Sequence, residues 1–257
     1  MTTRNGDSLK DMVYVIVAAG SAIGSCVARR LAARGARLVL VARTPAKVQP
    51  LADELQGTLM QAEATSFEQV DACLQQAQAA CGRVDGILNC AGSILLKPAH
   101  LTTAAELQEV LALNLVSAFA TVRAATNVMR TSGGSIVLMT SAAAEIGLAN
   151  HEAIAAAKAG VIGLMRSAAA TYAAQGIRVN AVAPGLVETP MSARITSNET
   201  ARNASVAMHP LGRLGQPEDV AEPICWLLGP GSSWVTGQVI GVDGGLATLK
   251  TRPPRSS

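Results

Sequence analysis

Two side chains that can carry a proton, His151 and Lys158, lie on one predicted helix. They are seven residues apart, and seven steps of about 100° return to within about 20° of the same helix face, roughly 10 Å along the axis. Ile154 lies between them on nearly the same face. A neutral imidazole at a helix N-terminus can donate a hydrogen bond to a developing oxyanion. The sequence therefore suggests acid–base chemistry here, or a His151 that only begins the helix.

A glycine-containing turn near the N-terminus predicts a phosphate site. Gly20 and Gly24 follow a short apolar run and precede a helical stretch, so backbone amides can approach a pyrophosphate at the positive end of the helix. The next apolar run ends at Ala42, followed by Arg43 and Thr44 instead of an acid. An acid there would hold the ribose hydroxyls of NAD, whereas a guanidinium pairs with the 2′-phosphate of NADP. The sequence favours NADP over NAD, unless Arg43 is a solvated loop residue.

Short apolar runs alternate along the chain with longer helical stretches. The runs are rich in β-branched residues and bounded by turn residues, which predicts strands. Their near-continuous apolarity indicates burial on both faces. We expect the α/β class, as a single-domain Rossmann-type doubly wound parallel sheet of about seven strands with helices on both faces. The predicted strands are 12–18, 37–42, 58–62, 84–89, 135–140, 177–182 and 238–242.

Local signals fix some boundaries of these elements. Thr103 and Glu106 have the spacing of a capping box, and Pro217 begins a helix whose first turn is acidic. We expect one domain over residues 1–257, with a structured core at about 12–248 and tails at 1–10 and 249–257.

Composition narrows the function classes. The chain has 257 residues, 49% of them hydrophobic, and can bury a sizeable core. A net charge of +3, with positive residues scattered except in a short tail at 250–255, disfavours nucleic-acid binding. Five dispersed cysteines lack metal-ligand spacing and suit a reducing compartment. Without an apolar leader or a run of about 18 apolar residues, we expect a cytoplasmic protein with no membrane, nucleic-acid or metal partner.

Several motifs occur in an order that points to one family. They are the turn at 19–24, the run Asn89-Cys90-Ala91-Gly92, then Asn114, Ser141 and Lys158, the segment 178–191 and the closing segment 237–245. Over residues 12–248 this arrangement resembles the short-chain dehydrogenase/reductase family. The resemblance implies a nicotinamide cofactor, a small-molecule substrate, a mobile lid at 186–215, and a homo-oligomer, dimer or tetramer, packed through helices at about 103–131 and 150–174.

The resemblance also implies roles for the polar residues. Ser141 would stabilise the substrate oxygen, Lys158 would grip the cofactor ribose, and Asn114 would support a water relay to the lysine. The family's proton-transferring tyrosine is replaced here by Ile154. One branch of the family, the enoyl reductases, has its tyrosine seven residues before the lysine, and His151 is similar to a histidine version of that arrangement.

The same resemblance implies the cofactor contacts. Where the family places glycine, this chain has Ala18 and Ala22, and a Cβ costs on the order of 1 kcal/mol where φ is positive. The implied cofactor-binding residues are Gly20, Ser21, Ile23 and Gly24 at the turn, Arg43 and Glu63 at the adenosine, Asn89, Ala91, Gly92 and Lys158 along the far ribose, and Pro184, Gly185, Val187 and Thr189 at the nicotinamide.

Two functions remain open from the sequence. One is an NADP(H)-dependent oxidoreductase acting on a small carbonyl, alcohol or conjugated C=C group, with the proton supplied by His151 or water. The other is a nucleotide-binding protein with little or no turnover, acting as a regulatory or partner subunit. Ile154 and the two missing glycines favour the second. His100 and His209 fall in segments without ligand partners, so we expect no metal.

Overall fold

A seven-stranded parallel sheet forms the centre of the protein in a computed structural model that describes residues 8–250. The strands are β1 (Val13–Val17), β2 (Arg37–Ala42), β3 (Thr58–Gln61), β4 (Gly86–Asn89), β5 (Gly134–Met139), β6 (Ile177–Pro184) and β7 (Val239–Val242). Their order across the sheet is β3-β2-β1-β4-β5-β6-β7. The predicted fold class is confirmed, with strand ends displaced by at most two residues.

Helices cover both faces of the sheet because alternate strand residues point to opposite faces. In β1, Val15 packs into one core layer together with α3, α5 and α6, and Ile16 packs into the other with α1 and α9. The helices are α1 (Ala22–Ala33), α2 (Gln49–Leu55), α3 (Phe67–Cys81), α4 (Ala104–Leu111), α5 (Ser117–Met129), α6 (Glu152–Tyr172), α7 (Ala193–Thr196), α8 (Glu199–Met208) and α9 (Pro217–Leu228).

The local boundary signals are present in the structure. Thr103 Oγ1 accepts a hydrogen bond from the Glu106 amide at 3.2 Å, and a Glu106 carboxylate oxygen accepts one from the Thr103 amide at 2.8 Å. Helix α9 begins at Pro217, as its sequence indicates. The expected lid at 186–215 contains the two short helices α7 and α8.

The N-terminal boundary differs from the expectation. Leu9, assigned to a tail at 1–10, is fully buried, and its amide donates to the Arg34 carbonyl at 2.8 Å. It packs into the layer formed by α1 and α9. The core therefore begins a few residues earlier than the motif boundary. Residues 1–7 and 251–257 of the predicted tails lie outside the described residues.

Two long helical segments are apolar on average, although neither is an uninterrupted run of about 18 apolar residues. Residues Ala104–Met129, which include α4 and α5, and Glu152–Gln175 have the length and composition of a membrane span. Both pack on the sheet, as core helices do, and α6 contacts β6 extensively. Only 39% and 44% of their most apolar stretches are buried, so each leaves an apolar face uncovered in the single chain.

The strand order changes direction between β1 and β4, because β2 and β3 are added on one side of β1 and β4 to β7 on the other. Strand β1 pairs with β2 on one side and with β4 on the other, so the connections after β1 and β4 diverge. A crevice forms at the carboxyl ends of the strands at such a switch point, and parallel α/β sheets bind ligands there. The turn after β1 and the ends of β4, β5 and β6 thus share one edge.

The turn after β1 contains a residue in an unfavourable backbone conformation. Ala18 has φ +58°, in the left-handed region, which costs a residue with a Cβ about 1–2 kcal/mol. Its carbonyl accepts from the Ser21 amide at 3.0 Å, so the turn holds this conformation. Ala22 is instead the first residue of α1 and is not among the residues with positive φ. The two alanines at expected glycine positions therefore have different consequences.

We expect Ala18→Gly to raise the free energy of unfolding by up to about 1 kcal/mol, because glycine adopts positive φ without a Cβ clash. The control Ala22→Gly should lower it, because glycine is a poor helix former. Urea denaturation of both variants measures the difference. A shift of both variants in the same direction would contradict the assignment of strain to Ala18.

Candidate active site

A cavity of about 370 Å³ opens at the carboxyl edge of the sheet. Its size is typical of small-molecule sites. Many of the residues expected to act on a cofactor or substrate share this cavity: Gly20, Ser21, Ile23, Gly92, Asn114, Ser141, Lys158, Pro184, Gly185, Val187 and Thr189. Ala22, Cys90 and Ile154, which the sequence analysis named without a binding role, are also in the wall. Further lining residues that it did not single out are Ser93, Ile94, Met139, Thr140, Leu186, Pro190, Met191 and Ser192.

The glycine turn leaves no room for side chains beside the start of α1. A Cβ on Gly20 would lie 2.8 Å from a Val48 methyl group, and one on Gly24 would lie 2.8 Å from Ser21 Oγ. Ser21 caps α1 by accepting from the Gly24 amide at 3.0 Å. Other amides of the first turn lack intrahelical partners, so this end of α1 can bind an anion such as a pyrophosphate.

Asn114 reaches the cavity from a widened turn of helix. Residues Ala112–Val116, between α4 and α5, form one π-helical turn, a feature common at functional sites. The Asn114 side chain is buried, donates to the Val110 carbonyl at 2.9 Å and accepts from the Ser93 amide at 3.3 Å. A Cβ on Gly92 would lie 2.8 Å from Asn114 Oδ1, so glycine is needed beside this amide.

Lys158 is the buried cation of the site. Its Nζ donates to the Met139 carbonyl, at the end of β5, over 2.9 Å, and the side chain is 7% exposed. Burial lowers the pKa of Lys158 from 10.5 to about 8. The backbone of α6 is held to the sheet at the same residue, because Thr140 Oγ1 donates to the Lys158 carbonyl at 2.9 Å.

Ser141 presents a hydroxyl group to the cavity. It follows β5, and its Oγ accepts from the Ala143 amide at 3.2 Å. That bond uses an oxygen lone pair and leaves the hydroxyl hydrogen available for another acceptor. Ser141 can therefore donate to an oxygen atom bound in the cavity, which is the role that the sequence suggested.

Ile154 brings an apolar group to the wall of the cavity. Its side chain is 5% exposed and packs with Val110, Ala153 and Ala157. None of the described residues that line the cavity is acidic. The thiol of Cys90 also lies in the wall, and burial raises its pKa to about 12, so it stays protonated at neutral pH. Lys158 is the cavity group that titrates nearest to neutral pH.

His151 occupies the predicted position at the start of α6 but is not among the residues that line the cavity. It is the residue before the first helical turn, with φ −107° and ψ 12°, and makes no capping hydrogen bond through its side chain. Its Nδ1 lies 2.8 Å from the Ala149 carbonyl. Its backbone angles are not helical, so an ideal helical wheel does not describe its side chain.

The residues expected at the adenosine lie beyond the cavity, at the ends of β2 and β3. The Arg43 side chain is 75% exposed and lies 3.9 Å from a Glu63 carboxylate oxygen. The largely exposed Arg43 side chain has space to turn toward a phosphate.

Asn89, which is expected along the far ribose, is buried, accepts from the Ala91 amide at 2.7 Å and donates to Thr121 Oγ1 at 2.9 Å. Asn89 thus stabilises the turn after β4.

The loop after β6 is held by two residues that the sequence analysis did not assign to the site. Ser192 Oγ donates to the Val187 carbonyl at 2.6 Å and accepts from the Thr189 amide at 3.0 Å. His209 Nε2 accepts from the Leu186 amide at 3.1 Å. The Ser192 contacts are local, since they join residues three and five positions apart, and a serine in a short loop is a signal that could have been read. The His209 contact joins residues 23 positions apart, and no periodicity or spacing signals it.

The donor set fits a nicotinamide dinucleotide better than a metal. The closely packed glycines, the helix N-terminus and the buried Lys158 ammonium are groups that bind phosphate and ribose oxygens. Among residues 8–250, no group of three or more His, Cys, Asp or Glu side chains is arranged to hold a metal ion.

Comparison with known proteins gives a consistent result. A sequence model of the family described as Enoyl-(Acyl carrier protein) reductase matches residues 17–247. Cis-4-hydroxycyclohexanecarboxylate dehydrogenase of Sinomonas cyclohexanicum is 38% identical over 255 residues, which cover 95% of this chain and 100% of that protein. Levodione reductase of Leifsonia aquatica is 34% identical over 250 residues, which cover 91% of this chain and 94% of that protein.

A solved structure of a similar protein shows the same fold. The short-chain type dehydrogenase/reductase from Mycobacterium ulcerans superposes with a TM-score of 0.89 at 32% sequence identity. The superposition covers 93% of this chain and 91% of the other.

We expect Lys158→Met to stabilise the nucleotide-free protein at pH 7 while removing nucleotide binding. The lowered pKa corresponds to a free-energy cost of at most about 3 kcal/mol for keeping Lys158 charged in the folded protein. Loss of the hydrogen bond to the Met139 carbonyl offsets about 1 kcal/mol of the gain expected from removing that charge. The net gain should raise Tm by a few degrees.

The pH dependence tests the cause. Between pH 8 and 10.5 the unfolded chain binds a proton at Lys158 that the folded chain does not, so wild-type stability gains relative to the variant as pH rises. The advantage of Lys158→Met should therefore shrink over this window. A constant difference would show that burial of the ammonium is not what destabilises the wild type.

Proposed function

Because the chain belongs to the short-chain dehydrogenase/reductase family, we propose that it is an NADP(H)-dependent oxidoreductase for small apolar substrates. Its substrates carry a carbonyl, alcohol or conjugated enoyl group, and the conjugated enoyl group suits the site best. One observation carries the proposal: a single cavity contains the glycine turn, the Lys158 ammonium and the Ser141 hydroxyl.

The chemistry of the cavity wall supports an apolar substrate. Ile94, Ile154, Leu186 and Met191 line the cavity together with Pro190. Such a wall desolvates a hydrocarbon skeleton favourably, and no described acidic residue in it would attract a cationic substrate. Of the polar residues in the wall, we assign Ser141 and Lys158 to orient one oxygen atom of the substrate.

Bound NADPH would supply a hydride, and the chain must then stabilise the negative charge that develops on the substrate. The Ser141 hydroxyl donates a hydrogen bond to the developing oxyanion, a contribution worth about 10² to 10³ in rate when well aligned. Lys158 adds positive charge in a site of low dielectric constant. Both residues act before any proton is transferred.

The missing tyrosine bears on which bond is reduced. Ile154 cannot give a proton, and loss of a general acid costs about 10² to 10⁴ in rate. Reduction of a carbonyl leaves an alkoxide, which is strongly basic and depends on such a proton. Reduction of a conjugated C=C bond leaves an enolate, whose charge is shared with carbon and which water can protonate. With His151 outside the cavity, we assign the proton to water.

Arg43 supports NADP(H) over NAD(H). It follows β2 without an acidic residue at the end of the strand, and its exposed guanidinium can turn toward a 2′-phosphate. Glu63 is its neighbour at 3.9 Å and is the residue that the phosphate would displace from it.

A second function has specific observations in its favour. Ile154 fills the wall where a proton donor would be useful, and Ala18 holds a strained turn beside the nucleotide site. Both fit a protein that binds a nucleotide without efficient turnover and acts as a subunit of an assembly. Nucleotide binding is common to both functions, so only a search for turnover separates them.

We also propose that a second copy covers the apolar helices. Five exposed positions of α6 carry small side chains, namely Ala156, Ala159, Gly163, Ser167 and Ala170, and the other exposed residues of this helix are Glu152, Arg166 and Thr171. The alanines of α6 divide between two environments: Ala153, Ala168 and Ala169 are buried in the chain's own core, whereas Ala156 and Ala170 are exposed. A dimer or tetramer through this face would bury the surface that the single chain leaves open.

The activity test uses a matched pair of substrates. Since one relative acts on a cyclohexane ring, we expect NADPH oxidation with 2-cyclohexen-1-one to exceed that with cyclohexanone by at least about tenfold. NADPH should also bind more tightly than NADH in a fluorescence titration. Binding without oxidation by either substrate or by enoyl thioesters would favour the second function.

Two variants identify the proton source in the same assay. Ile154→Tyr places a phenol in the wall and should raise turnover of cyclohexanone about 10² fold or more. His151→Ala should leave turnover of the enone unchanged. A loss of turnover in His151→Ala with intact NADPH binding would instead make His151 the donor.

We expect Gly163→Arg to reduce the oligomeric state measured by light scattering after size exclusion. A Cβ at Gly163 meets nothing within 4 Å in the single chain, so arginine is tolerated there and should obstruct only a second copy. Gly163→Ala is the control and should keep the wild-type mass. An unchanged mass for Gly163→Arg would exclude this face as the interface.

A further inference from the structure

His209 is a buried histidine whose two ring nitrogens both contact backbone groups. Its side chain is 3% exposed, and Nδ1 lies 2.7 Å from the Ser205 carbonyl, one turn earlier in α8. A nitrogen facing a carbonyl carries the hydrogen. Nε2 is then an acceptor, and it accepts from the Leu186 amide at 3.1 Å. The neutral ring is therefore satisfied at both ends.

The partner of His209 belongs to the cavity wall. Gly185, Leu186 and Val187 are consecutive lining residues and share the cavity with Lys158. The ring lies directly behind this backbone, because a Cβ on Gly185 would be only 2.6 Å from His209 Nε2. A shift of the ring would therefore move the wall.

Other contacts hold the neighbouring parts of the same segment. The Gly185 amide donates to the Val242 carbonyl at 3.1 Å, and the Glu188 amide donates to the Gly215 carbonyl at 2.9 Å. Between these two anchors, His209 fixes the amide of Leu186. His209 also joins the end of α8 to the wall, while Arg202 in the middle of α8 pairs with Glu188, just beyond Val187.

We propose that His209 is a positioning residue, which fixes Gly185–Val187 against the nicotinamide end of the bound nucleotide and couples the lid helix α8 to that contact. The inference rests on the proposed function, because it needs a nucleotide in the cavity. It differs from simple packing, since packing requires only the volume of the ring and positioning requires an acceptor at Nε2.

Isothermal titration calorimetry with two ligands tests the proposal. NADPH reports on the whole site, and 2′-phospho-ADP-ribose is the same molecule without the nicotinamide. His209→Leu keeps an apolar side chain but removes the acceptor and should weaken NADPH binding about tenfold, leaving 2′-phospho-ADP-ribose unchanged. His209→Gln can present an amide oxygen near the position of Nε2 and should keep most of the NADPH affinity.

Asn198→Ala is the matched control. Asn198 caps the other end of α8 by accepting from the Ala201 amide at 3.0 Å, so the variant weakens the helix without touching the wall. It should bind NADPH like the wild type.

The outcomes separate the two proposals. Unchanged NADPH affinity in His209→Leu, equal weakening of both ligands, or equal weakening by Asn198→Ala would each overturn the positioning role while leaving the proposed function intact. If the wild type binds neither ligand, the proposed function fails, and the positioning role fails with it. Thermal unfolding of each variant confirms that the folded protein is titrated.

Discussion

The burial of one ammonium group organises the site. Lys158 has been removed from water at the junction of β5 and α6 and has the Met139 carbonyl as its hydrogen-bond acceptor. A buried cation without a carboxylate is costly, and its pKa is accordingly lowered to about 8. In the proposed function, hydrogen bonds to the oxygen atoms of a bound ribose would offset this cost. The closely packed Gly92 and the inward-facing Asn114 limit the space beside it.

The same cavity combines this cation with an apolar wall at Ile154. Electrostatic stabilisation and proton delivery are separate contributions to catalysis. The cavity has Ser141 and Lys158 for electrostatic stabilisation, and none of its described lining residues is a tyrosine that could deliver a proton. A reaction whose product anion is weakly basic suffers least from the lack of this proton donor. The chemistry of the wall therefore constrains the type of reaction more than the fold does, because many reactions share this fold.

Parts of the sequence predicted the structure well because their signals are local. Strand periodicity, the capping box at Thr103 and the start of α9 at Pro217 depend on neighbouring residues and appear nearly where expected. The widened turn at Asn114 gave no such signal, since the preceding and following residues are ordinary helix formers. The burial of Leu9 was also missed, because it arises from packing in the layer formed by α1 and α9, which no local pattern around Leu9 indicates.

The sequence by itself determined the α/β fold, the family, and the collection of Ser141, Lys158 and the glycine turn at one sheet edge, since parallel strands carry their following residues to a common side. Tertiary structure decided the rest. It placed His151 outside the cavity although the helical repeat aligned it with Lys158, and it brought His209, which no spacing marked, behind Leu186. A residue's angle on a helix follows from local geometry. Its distance from a cavity depends on where the helix begins and how distant segments pack against it.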